Sequence, residues 1–296
     1  MATIGWELYR SFLSVLNEGS LSGAARAMGV AQPTIGRHIA ALEKAFGLTL
    51  FTRSQLGLIP TEAALDLKSY AEEMSSMAAA LKRAAESQGE GIRGVVRISA
   101  SEVMGAEVLP PIITTLQREH PKLKIEMVLT NRLQNLLHRE ADIAIRMIQP
   151  KQESLIARRL GEVELGFHAH KNYLNDRGTP LSWKDFSQHS IIGFDEETPF
   201  LRSARRSTPA WNRDAFSVRT DSDLAQLALI RSGCGIGVCQ VGLAKRDPQL
   251  VRVLKKEFNF KLESWLTMHE DLRNSPRCKI TFETLLQGLQ TYFTTQ

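Results

Sequence analysis

The chain has 296 residues with 43% hydrophobic and 23% charged content, which predicts about two domains and excludes a disordered tail or a disulfide miniprotein. No apolar run approaches the roughly 18 residues of a membrane span, the N-terminus does not form a secretory signal, and the 3 cysteines lack zinc-ligand spacing, so we expect a cytoplasmic protein. The net charge of +5 does not by itself identify a nucleic-acid partner, because most of the basic excess lies beyond residue 90.

The N-terminal sixty residues are predicted to form three short helices followed by a β-wing. Apolar residues recur at three- and four-residue spacing from Trp6 to Leu16, and an alanine-rich helix follows over Leu21–Met28. A third helix begins near Gln32 and carries an apolar face as far as Phe46. Two short apolar pieces around Gly57 then predict a β-wing over Leu48–Pro60.

The run Leu21–Ala40 matches a DNA-binding helix-turn-helix position by position. Ala25 is small where two helices cross, Gly29 occupies the tight turn, and Ile35 and Ile39 pin the second helix against the first. A helical hairpin without a DNA role is the alternative. The outward side chains of the second helix can reach base edges or phosphates in a major groove. The predicted DNA-binding residues are Gln32, which suits adenine, Pro33, Thr34, Arg37, which suits guanine or a phosphate, His38, and Arg53.

A long helix is predicted from Glu62 to about Glu86, with Thr61 as its N-cap. Its apolar residues alternate in steps of three and four, which is the seam of a coiled coil, so two copies packed side by side would bury it. The alternative is an ordinary helix that packs on its own domain. Ser87–Gly91 is predicted to be a flexible linker. The seam residues are Leu67, Tyr70, Met74, Met77 and Leu81.

Beyond residue 90, predicted strands alternate with predicted helices. This alternation predicts an α/β protein with a parallel, doubly wound sheet, in two lobes that share one ligand cleft. The predicted strands are Val95–Ala100, Leu123–Leu129, Asp142–Met147, Glu164–Ala169, Ser190–Phe194, Phe216–Thr220, Gly235–Cys239 and Leu262–His269. The predicted helices are Gly105–Glu119, Arg132–Arg139, Leu181–Phe186, Asp221–Ser232 and Pro276–Phe293.

Several enzyme-like signals have simpler explanations. Gly233–Gly237 is glycine-rich, but it ends a helix and begins a strand, which is the reverse of a dinucleotide-binding loop. His168 and His170 share a strand face without an evident third metal ligand, and Cys234 and Cys239 show no local cue for thiol activation. We therefore predict no catalytic residue, no metal and no cofactor.

Seven motifs follow one another along the chain, namely Phe12–Glu43, Leu50–Arg53, Thr61–Ala63, Leu109–Pro111, Ala141–Arg146, Ser232–Gly237 and Trp265–Leu266. Through these motifs the sequence resembles the LysR-type transcriptional regulators over essentially its whole length. It departs from the usual pattern at Ala31 and Gly36, where serines are common, and at Pro60 and Ala64, where leucine and glycine are common, which bears on the operator sequence.

The resemblance implies a winged helix-turn-helix domain at 1–60, a dimerisation helix and hinge at 61–90, and a periplasmic-binding-protein-like effector domain at 91–296. Lobe I of that domain would comprise about 91–161 and 270–296, and lobe II about 162–269. A homodimer, commonly assembled into a tetramer, would bind promoter DNA, respond to a small-molecule effector and, as an activator, contact RNA polymerase. The candidate effector-binding residues are Ser101, Glu102, Val103, Thr130, Asn131, Arg146, Phe194, Asp195, Asp221 and Ser222.

Two questions stay open at the level of sequence. The basic surroundings of the predicted cleft weakly favour an anionic effector, whereas Glu102 beside Ser101 argues for an amine or a polar neutral one. The rival functions are a ligand-binding or enzymatic α/β protein whose helical N-terminal domain does not read DNA, and a structural nucleoid protein that binds DNA without sequence preference.

Overall fold

The computed structural model describes residues 4–54, 57–86, 91–131, 141–150, 154–197, 201–202 and 211–294. They form two compact units, divided in sequence at residue 86. The predicted helix Arg132–Arg139 and residues 87–90 of the predicted linker lie outside the described residues. Within the described part of the chain, no helix is both long and apolar enough to cross a membrane.

The first unit contains the three helices, the wing and the long helix that the sequence predicts. The elements are α1 (Trp6–Glu18), α2 (Leu21–Met28), α3 (Gln32–Phe46), β1 (Phe51–Ser54), β2 (Gly57–Pro60) and α4 (Glu62–Glu86). Their shared core is built from fully buried side chains on every helix and on the approach to the wing, among them Phe12, Ala24, Ile35, Leu42, Leu50 and Ala64.

Local hydrogen bonds explain where these elements begin and end. The Ser20 hydroxyl accepts from the Gly23 N–H and caps α2, and Gly29 ends that helix with a left-handed φ of 68°. The Thr61 hydroxyl accepts from the Ala64 N–H at 3.3 Å, which confirms the predicted cap of α4. Glu43 on α3 accepts from the backbone N–H of Leu50 at 2.7 Å, so the third helix positions the first strand of the wing.

The second unit is an α/β structure with a mixed sheet. Its strands are β3 (Gly94–Ala100), β4 (Leu123–Leu129), β5 (Ile143–Arg146), β6 (Leu155–His170), β7 (Ile192–Gly193), β8 (Val218–Arg219), β9 (Gly237–Gln240), β10 (Leu250–Val253) and β11 (Phe260–His269). Its α-helices are α5 (Leu109–Glu119), α6 (Lys171–Arg177), α7 (Asp223–Arg231), α8 (Val241–Ala244) and α9 (Pro276–Thr294), with a π-helical segment over Met104–Val108 and 3-10 turns at Trp183–Gln188, Arg213–Ala215 and Glu270–Leu272.

The predicted α/β class is confirmed, but the prediction of a parallel sheet is wrong for four of the described strands, β6, β9, β10 and β11, whose pairings are antiparallel. The described strands form a seven-stranded sheet in the order β10-β6-β11-β5-β3-β4, with β9 also paired to β6, and a separate β7-β8 pair. Among the pairs of described strands, β3-β4, β3-β5 and β7-β8 are parallel. The long strands β6 and β11 run antiparallel to each other and link the two cores of the unit, which a simple alternation of strands and helices does not produce.

Sequence reasoning missed the first half of β6 and several short elements. Arg158, Arg159 and Glu162 interrupt the apolar pattern of β6 before Val163, so its first half does not resemble a buried strand. The predicted strands Ser190–Phe194 and Phe216–Thr220 shrink to two residues each, and the predicted helix Leu181–Phe186 is the 3-10 turn Trp183–Gln188. α6, α8 and β10 were not predicted at all.

These short elements depend on tertiary packing rather than on local pattern. Phe167 on β6 is fully buried and contacts four aromatic rings at centroid distances of 4.6 to 5.6 Å. The rings belong to Trp183, Phe186, Trp211 and Phe258, which lie in otherwise irregular segments. Aromatic burial of this kind stabilises short turns that have little helical propensity of their own.

Candidate nucleic-acid interface and ligand cavity

The third helix of the first unit presents a polar face to solvent. Ile35 and Ile39 are 0% and 6% exposed and anchor α3 to the core, while Gln32, Pro33 and Arg37 are exposed on the outward side. Thr34 is half-buried, and its hydroxyl lies 3.4 Å from Nη2 of Arg37. Pro33 suits the first turn because its missing N–H has no intrahelical partner there. Arg53 is exposed on β1.

His38 is held from behind by the first helix. Its Nδ1 lies 2.7 Å from the hydroxyl of Ser11, which is fully buried and donates to the Glu7 carbonyl at 2.9 Å. The Ser11 hydroxyl has one proton for these two contacts, so the donor of the Ser11–His38 pair depends on the tautomer of His38. In either tautomer this contact occupies Nδ1 and leaves Nε2 for other partners.

The long helix of the first unit carries an apolar stripe. The side chains of Tyr70, Met74, Met77 and Leu81 are 62%, 39%, 46% and 73% exposed in the single chain. The predicted seam residue Leu67 differs, because it is partly buried against the core of the first unit. The N-terminal part of α4 thus packs on its own domain, and the later part leaves its apolar residues uncovered in the monomer.

A cavity of about 440 Å³ lies in the second unit, within the volume range of small-molecule sites. It opens beyond the carboxyl ends of β3, β4 and β5, where α/β sheets bind ligands, and its far wall comes from β6, β9 and α7. The predicted effector residues that line it are Ser101, Val103, Thr130, Asn131, Arg146, Phe194 and Asp221.

Three other predicted effector residues are not among the described residues that line the cavity. Glu102 accepts from the Ser222 hydroxyl at 2.8 Å, and this contact joins the start of the π-helical segment to the start of α7. Asp195 forms an ion pair with Arg213 at 2.6 Å, and its backbone N–H donates to Asp221 at 2.9 Å. Glu102 and Ser222 therefore bond to each other, and Asp195 bonds to the lining residue Asp221.

The cavity also contains residues that sequence reasoning missed. Asp223 follows Ser222 at the N-terminus of α7, and Gln240 and Cys239 end β9. The position of Asp223 in the first turn of a predicted helix was the one available signal. The remaining walls are apolar and come from strands whose mutual packing the sequence does not reveal, namely Ile145, Met147, Ile148, Val163, Leu165, Leu227, Val238 and Leu262.

Asp223 and Asn131 connect the two sides of the cavity. The Asn131 side chain donates to Oδ2 of Asp223 at 2.9 Å and accepts from the Glu102 backbone N–H at 3.2 Å. Burial, together with the negative charge of Glu102, raises the pKa of Asp223 to about 6, from an ordinary value of 3.8. The carboxylates at the start of α7 thus create a region of negative potential.

A second bridge lies outside the cavity. Glu107 in the π-helical segment accepts from Arg231 on α7 at 2.6 and 3.0 Å, in a bidentate pair that lowers the pKa of Glu107. Pro111 has no N–H with which to bond the Glu107 carbonyl, and that carbonyl accepts from Arg246 at 3.3 Å. The π-helical segment is therefore tied to the end of α7 by an ion pair and to the residues after α8 by a hydrogen bond.

The histidine and cysteine side chains near the cavity are neutral in the folded state at pH 7. Burial lowers the pKa of His168 to about 4 and raises the pKa of the Cys239 thiol to about 12. Nδ1 of His168 lies 2.9 Å from the Gly166 carbonyl and 3.3 Å from the Cys239 sulfur. His170 instead caps α6 by accepting from the Asn172 N–H, so the two histidines serve separate structural roles.

These features define a class of protein: a winged helix-turn-helix unit joined in one chain to an α/β unit with a cavity of ligand size. Comparison with known proteins agrees with this class. Residues 6–65 match the family described as bacterial regulatory helix-turn-helix protein, lysR family, and residues 89–290 match the LysR substrate binding domain. The chain belongs to the LysR-type family of transcriptional regulators.

Individual relatives cover most of the chain at low identity. The HTH-type transcriptional regulator CrgA of Neisseria meningitidis serogroup C is 27% identical over 80% of this chain and 79% of its own length. The probable HTH-type transcriptional regulator LtrA of Klebsiella pneumoniae is 23% identical over 93% of this chain and 91% of its own.

Solved structures share the fold. The full-length virulence activator AphB of Vibrio cholerae has a TM-score of 0.61 at 20% identity, over 96% of this chain and 99% of its own. Full-length CbnR, in a complex with its target DNA, has a TM-score of 0.65 at 16% identity, over 96% of this chain and 99% of its own.

Proposed function

We propose that this regulator binds promoter DNA as a homodimer in the cytoplasm, and that a small molecule held in the cavity of the second unit alters this binding without a catalytic step. The observation that carries the proposal is the polar outward face of α3, with Gln32 and Arg37 exposed opposite the buried Ile35 and Ile39. CbnR, which shares the fold, is known in complex with its target DNA.

The chemistry of that face suits the major groove of DNA. Gln32 can pair with adenine through the oxygen and the NH₂ group of its side-chain amide, and Arg37 can pair with guanine or with a phosphate. Nδ1 of His38 is occupied by Ser11, so Nε2 is the ring nitrogen that would reach a base edge or a phosphate. Arg53 in the wing would contact the backbone.

An electrophoretic mobility shift assay with the DNA upstream of the protein's own gene tests this proposal. We expect a salt-sensitive shift, and a loss of affinity of about tenfold in Arg37→Ala and in Gln32→Ala, since one bidentate base contact contributes about 1–3 kcal/mol. Arg10→Ala is the matched control, because Arg10 is an exposed arginine on α1.

The same assay separates the rival functions. The absence of any salt-sensitive shift would favour an α/β ligand-binding protein or enzyme that does not read DNA. A shift of equal affinity on any DNA, with no defined footprint, would favour a structural nucleoid protein. If Arg37 contacts a phosphate, Arg37→Ala weakens binding to all DNA sequences. The slope of log affinity against log salt concentration then falls by about one unit.

The proposed homodimer rests on the apolar stripe of α4. Tyr70, Met74, Met77 and Leu81 recur on one face of the helix and are exposed in the single chain, which an isolated helix in water does not favour. A second copy of the same helix would cover the stripe by a self-complementary contact. Leu67 would contribute to the fold of the protomer rather than to this contact.

A further inference from the structure

We propose that the cavity binds a small zwitterion: a molecule with one carboxylate, one ammonium group and an apolar body. The inference rests on the proposed role of the cavity as the effector site and narrows the chemistry of that effector. Sequence alone left an anion, an amine and a neutral ligand open, because it did not identify Asp223 as a second carboxylate in the cavity that Arg146 lines.

A buried guanidinium forms one wall of the cavity. Arg146 ends β5, is only 9% exposed and lines the cavity beside Ser101 and Thr130, which follow the neighbouring strands β3 and β4. Its Nη1 donates to the Ser99 hydroxyl at 3.2 Å and to the Ile145 carbonyl at 3.3 Å, so its orientation is fixed. A fixed guanidinium with hydroxyl groups nearby is a recognition site for a carboxylate.

Carboxylates form the opposing wall. Asp221 and Asp223 line the cavity from the start of α7. Oδ1 of Asp221 accepts from the backbone N–H groups of Asp195 and Glu196, both at 2.9 Å, which holds that carboxylate in place. Glu102 adds negative charge, which is one cause of the raised pKa of Asp223. An ammonium group would relieve this concentration of negative charge.

The sheet geometry limits the separation of the two walls. β3 lies between β4 and β5, so the ends of β4 and β5 are about 10 Å apart, at roughly 4.8 Å per strand. Asn131, just after β4, is bonded to Asp223, whereas the Arg146 guanidinium turns from β5 toward Ser99 on β3. Arg146, Asp221 and Asp223 line the same cavity, and we infer that one small molecule within it can span both walls.

The remaining surface requires an apolar body. Most of the other lining residues are aliphatic, and Phe194 adds an aromatic ring. A ligand that has charged groups alone would leave the apolar lining in contact with water or with the ligand's polar groups. Such contacts raise the free energy of the complex. The volume of about 440 Å³ accommodates an aliphatic amino acid with room to spare.

Isothermal titration of the full-length protein with four matched probes tests the inference. L-Leucine and 6-aminohexanoate are zwitterions with different charge spacing, 4-methylpentanoate lacks the ammonium group, and 3-methylbutylamine lacks the carboxylate. We expect at least one zwitterion to bind at least about tenfold more tightly than both single-charge probes, a difference of about 1.4 kcal/mol. The inference is overturned if 4-methylpentanoate or 3-methylbutylamine matches the better zwitterion, or if neither zwitterion binds at up to about 10 mM.

Variants test which charged group of the ligand each wall of the cavity binds. Arg146→Gln should weaken the zwitterion and 4-methylpentanoate alike, whereas the double variant Asp221→Asn, Asp223→Asn should weaken the zwitterion and leave 4-methylpentanoate unchanged or tighter. Asparagine can still accept the backbone and Asn131 hydrogen bonds at these positions, so the fold should persist. Asp176→Asn, at an exposed site on α6, is the control and should change nothing. Equal zwitterion affinity in wild type and the double variant would contradict the assignment.

Failure of this inference can be told from failure of the proposed function. The same protein samples are assayed for binding to the upstream DNA without any probe. A normal DNA shift in a protein that binds none of the zwitterions overturns the ligand class alone, because promoter recognition is then intact. Absence of the DNA shift, with zwitterion binding retained, overturns the promoter-binding part of the proposed function and leaves the ligand class supported.

Discussion

Two residues of α3 and its N-cap, Gly36 and Ala31, lower the stability of the helix. Gly36 lies in the interior of α3, where glycine is about 0.5–1 kcal/mol less favourable than alanine. A Cβ at Gly36 would meet only the Leu21 Cδ1 at 3.8 Å, an ordinary contact. Ala31 at the N-cap has no side-chain oxygen to accept an N–H from the first turn. The packing of the first unit therefore does not require glycine at position 36 or alanine at position 31.

Gly36→Ala should therefore stabilise the first unit by about 0.5–1 kcal/mol. Amide hydrogen exchange of α3, followed by mass spectrometry, should be slower in this variant. Gly29→Ala is the matched control and should accelerate exchange, because Gly29 adopts a φ of 68° that costs alanine about 1 kcal/mol. Unchanged or faster exchange of α3 in Gly36→Ala would contradict the prediction.

Asp223 predicts a pH dependence for the second unit. Its pKa is about 6 in the folded protein against an ordinary 3.8, so the folded state binds more protons between these values. The free energy of unfolding therefore falls as pH rises from about 4 to about 6, and the loss persists at neutral pH. Asp223→Asn should remove this loss and raise the melting temperature at neutral pH, by an amount equivalent to at most about 2–3 kcal/mol.

The measurement is the melting temperature of wild type and Asp223→Asn across this pH range. The comparison must be a difference, because the buried neutral His168 acts in the opposite sense and lowers stability as pH falls from 6.5 toward 4. The two proteins should converge at acidic pH, where Asp223 is protonated. A constant difference at all pH values would show that the carboxylate charge is not the cause.

At the scale of elements, the two ends of α4 have different environments: the start packs on the first unit, and the later part is exposed. Ala64 and Ala71 are buried on the core of the first unit, which ties the start of the helix to the helix-turn-helix. Further along, Met77 and Leu81 project from the same face as Tyr70 and remain exposed in the protomer. Coiled-coil contacts need this spacing of three and four residues.

The double variant Met77→Glu, Leu81→Glu should therefore shift the protein toward monomer, because two copies would bring like charges into an apolar seam. Sedimentation velocity measures the change in mass. Leu65→Glu is the control: Leu65 is 55% exposed but lies on the opposite face of the helix at 3.6 residues per turn. A dimer mass that survives the double substitution, or that Leu65→Glu abolishes equally, would rule out this seam.

At the scale of the whole second unit, two hydrophobic cores share the long strands β6 and β11, and side chains also join the π-helical segment to α7. The pair Glu107–Arg231 is bidentate and partly exposed, with side-chain exposures of 25% and 36%. A partly solvated ion pair of this kind contributes modestly, about 0–1 kcal/mol. Its two residues lie close in sequence to Glu102 and Ser222, so we expect its loss to affect the contact between those two residues.

Glu107→Gln should weaken the contact between the π-helical segment and α7, while both hydrophobic cores of the second unit stay intact. We expect faster amide exchange in the cavity segments 101–103 and 220–224, since these segments meet through Glu102 and Ser222. Glu162→Gln, which breaks exposed ion pairs to Arg159 and Lys261, should leave exchange in those segments unchanged. Faster exchange in Glu162→Gln, or none in Glu107→Gln, would show that this bridge does not control the cavity.

Local pattern determined the first unit almost completely. Helix spacing, the turn at Gly29, the cap at Thr61 and the apolar pins Ile35 and Ile39 act over a few residues, so the sequence alone predicted each helix and the exposed face of α3. Strand ends in the second unit were predicted in the same way, which placed Ser101, Thr130 and Arg146 at the cavity.

Tertiary structure decided everything that depends on contacts between distant segments. The direction of β6 and β11, the contact of Glu102 with the start of α7 and the presence of Asp223 in the cavity that Arg146 lines join residues up to 122 positions apart. Periodicity is a local property and carries no information on which segments pair, because pairing depends on the burial of side chains that are far apart in sequence. The sequence therefore predicted many of the residues that line the cavity, and the packing of distant segments decided which further charged residues join them.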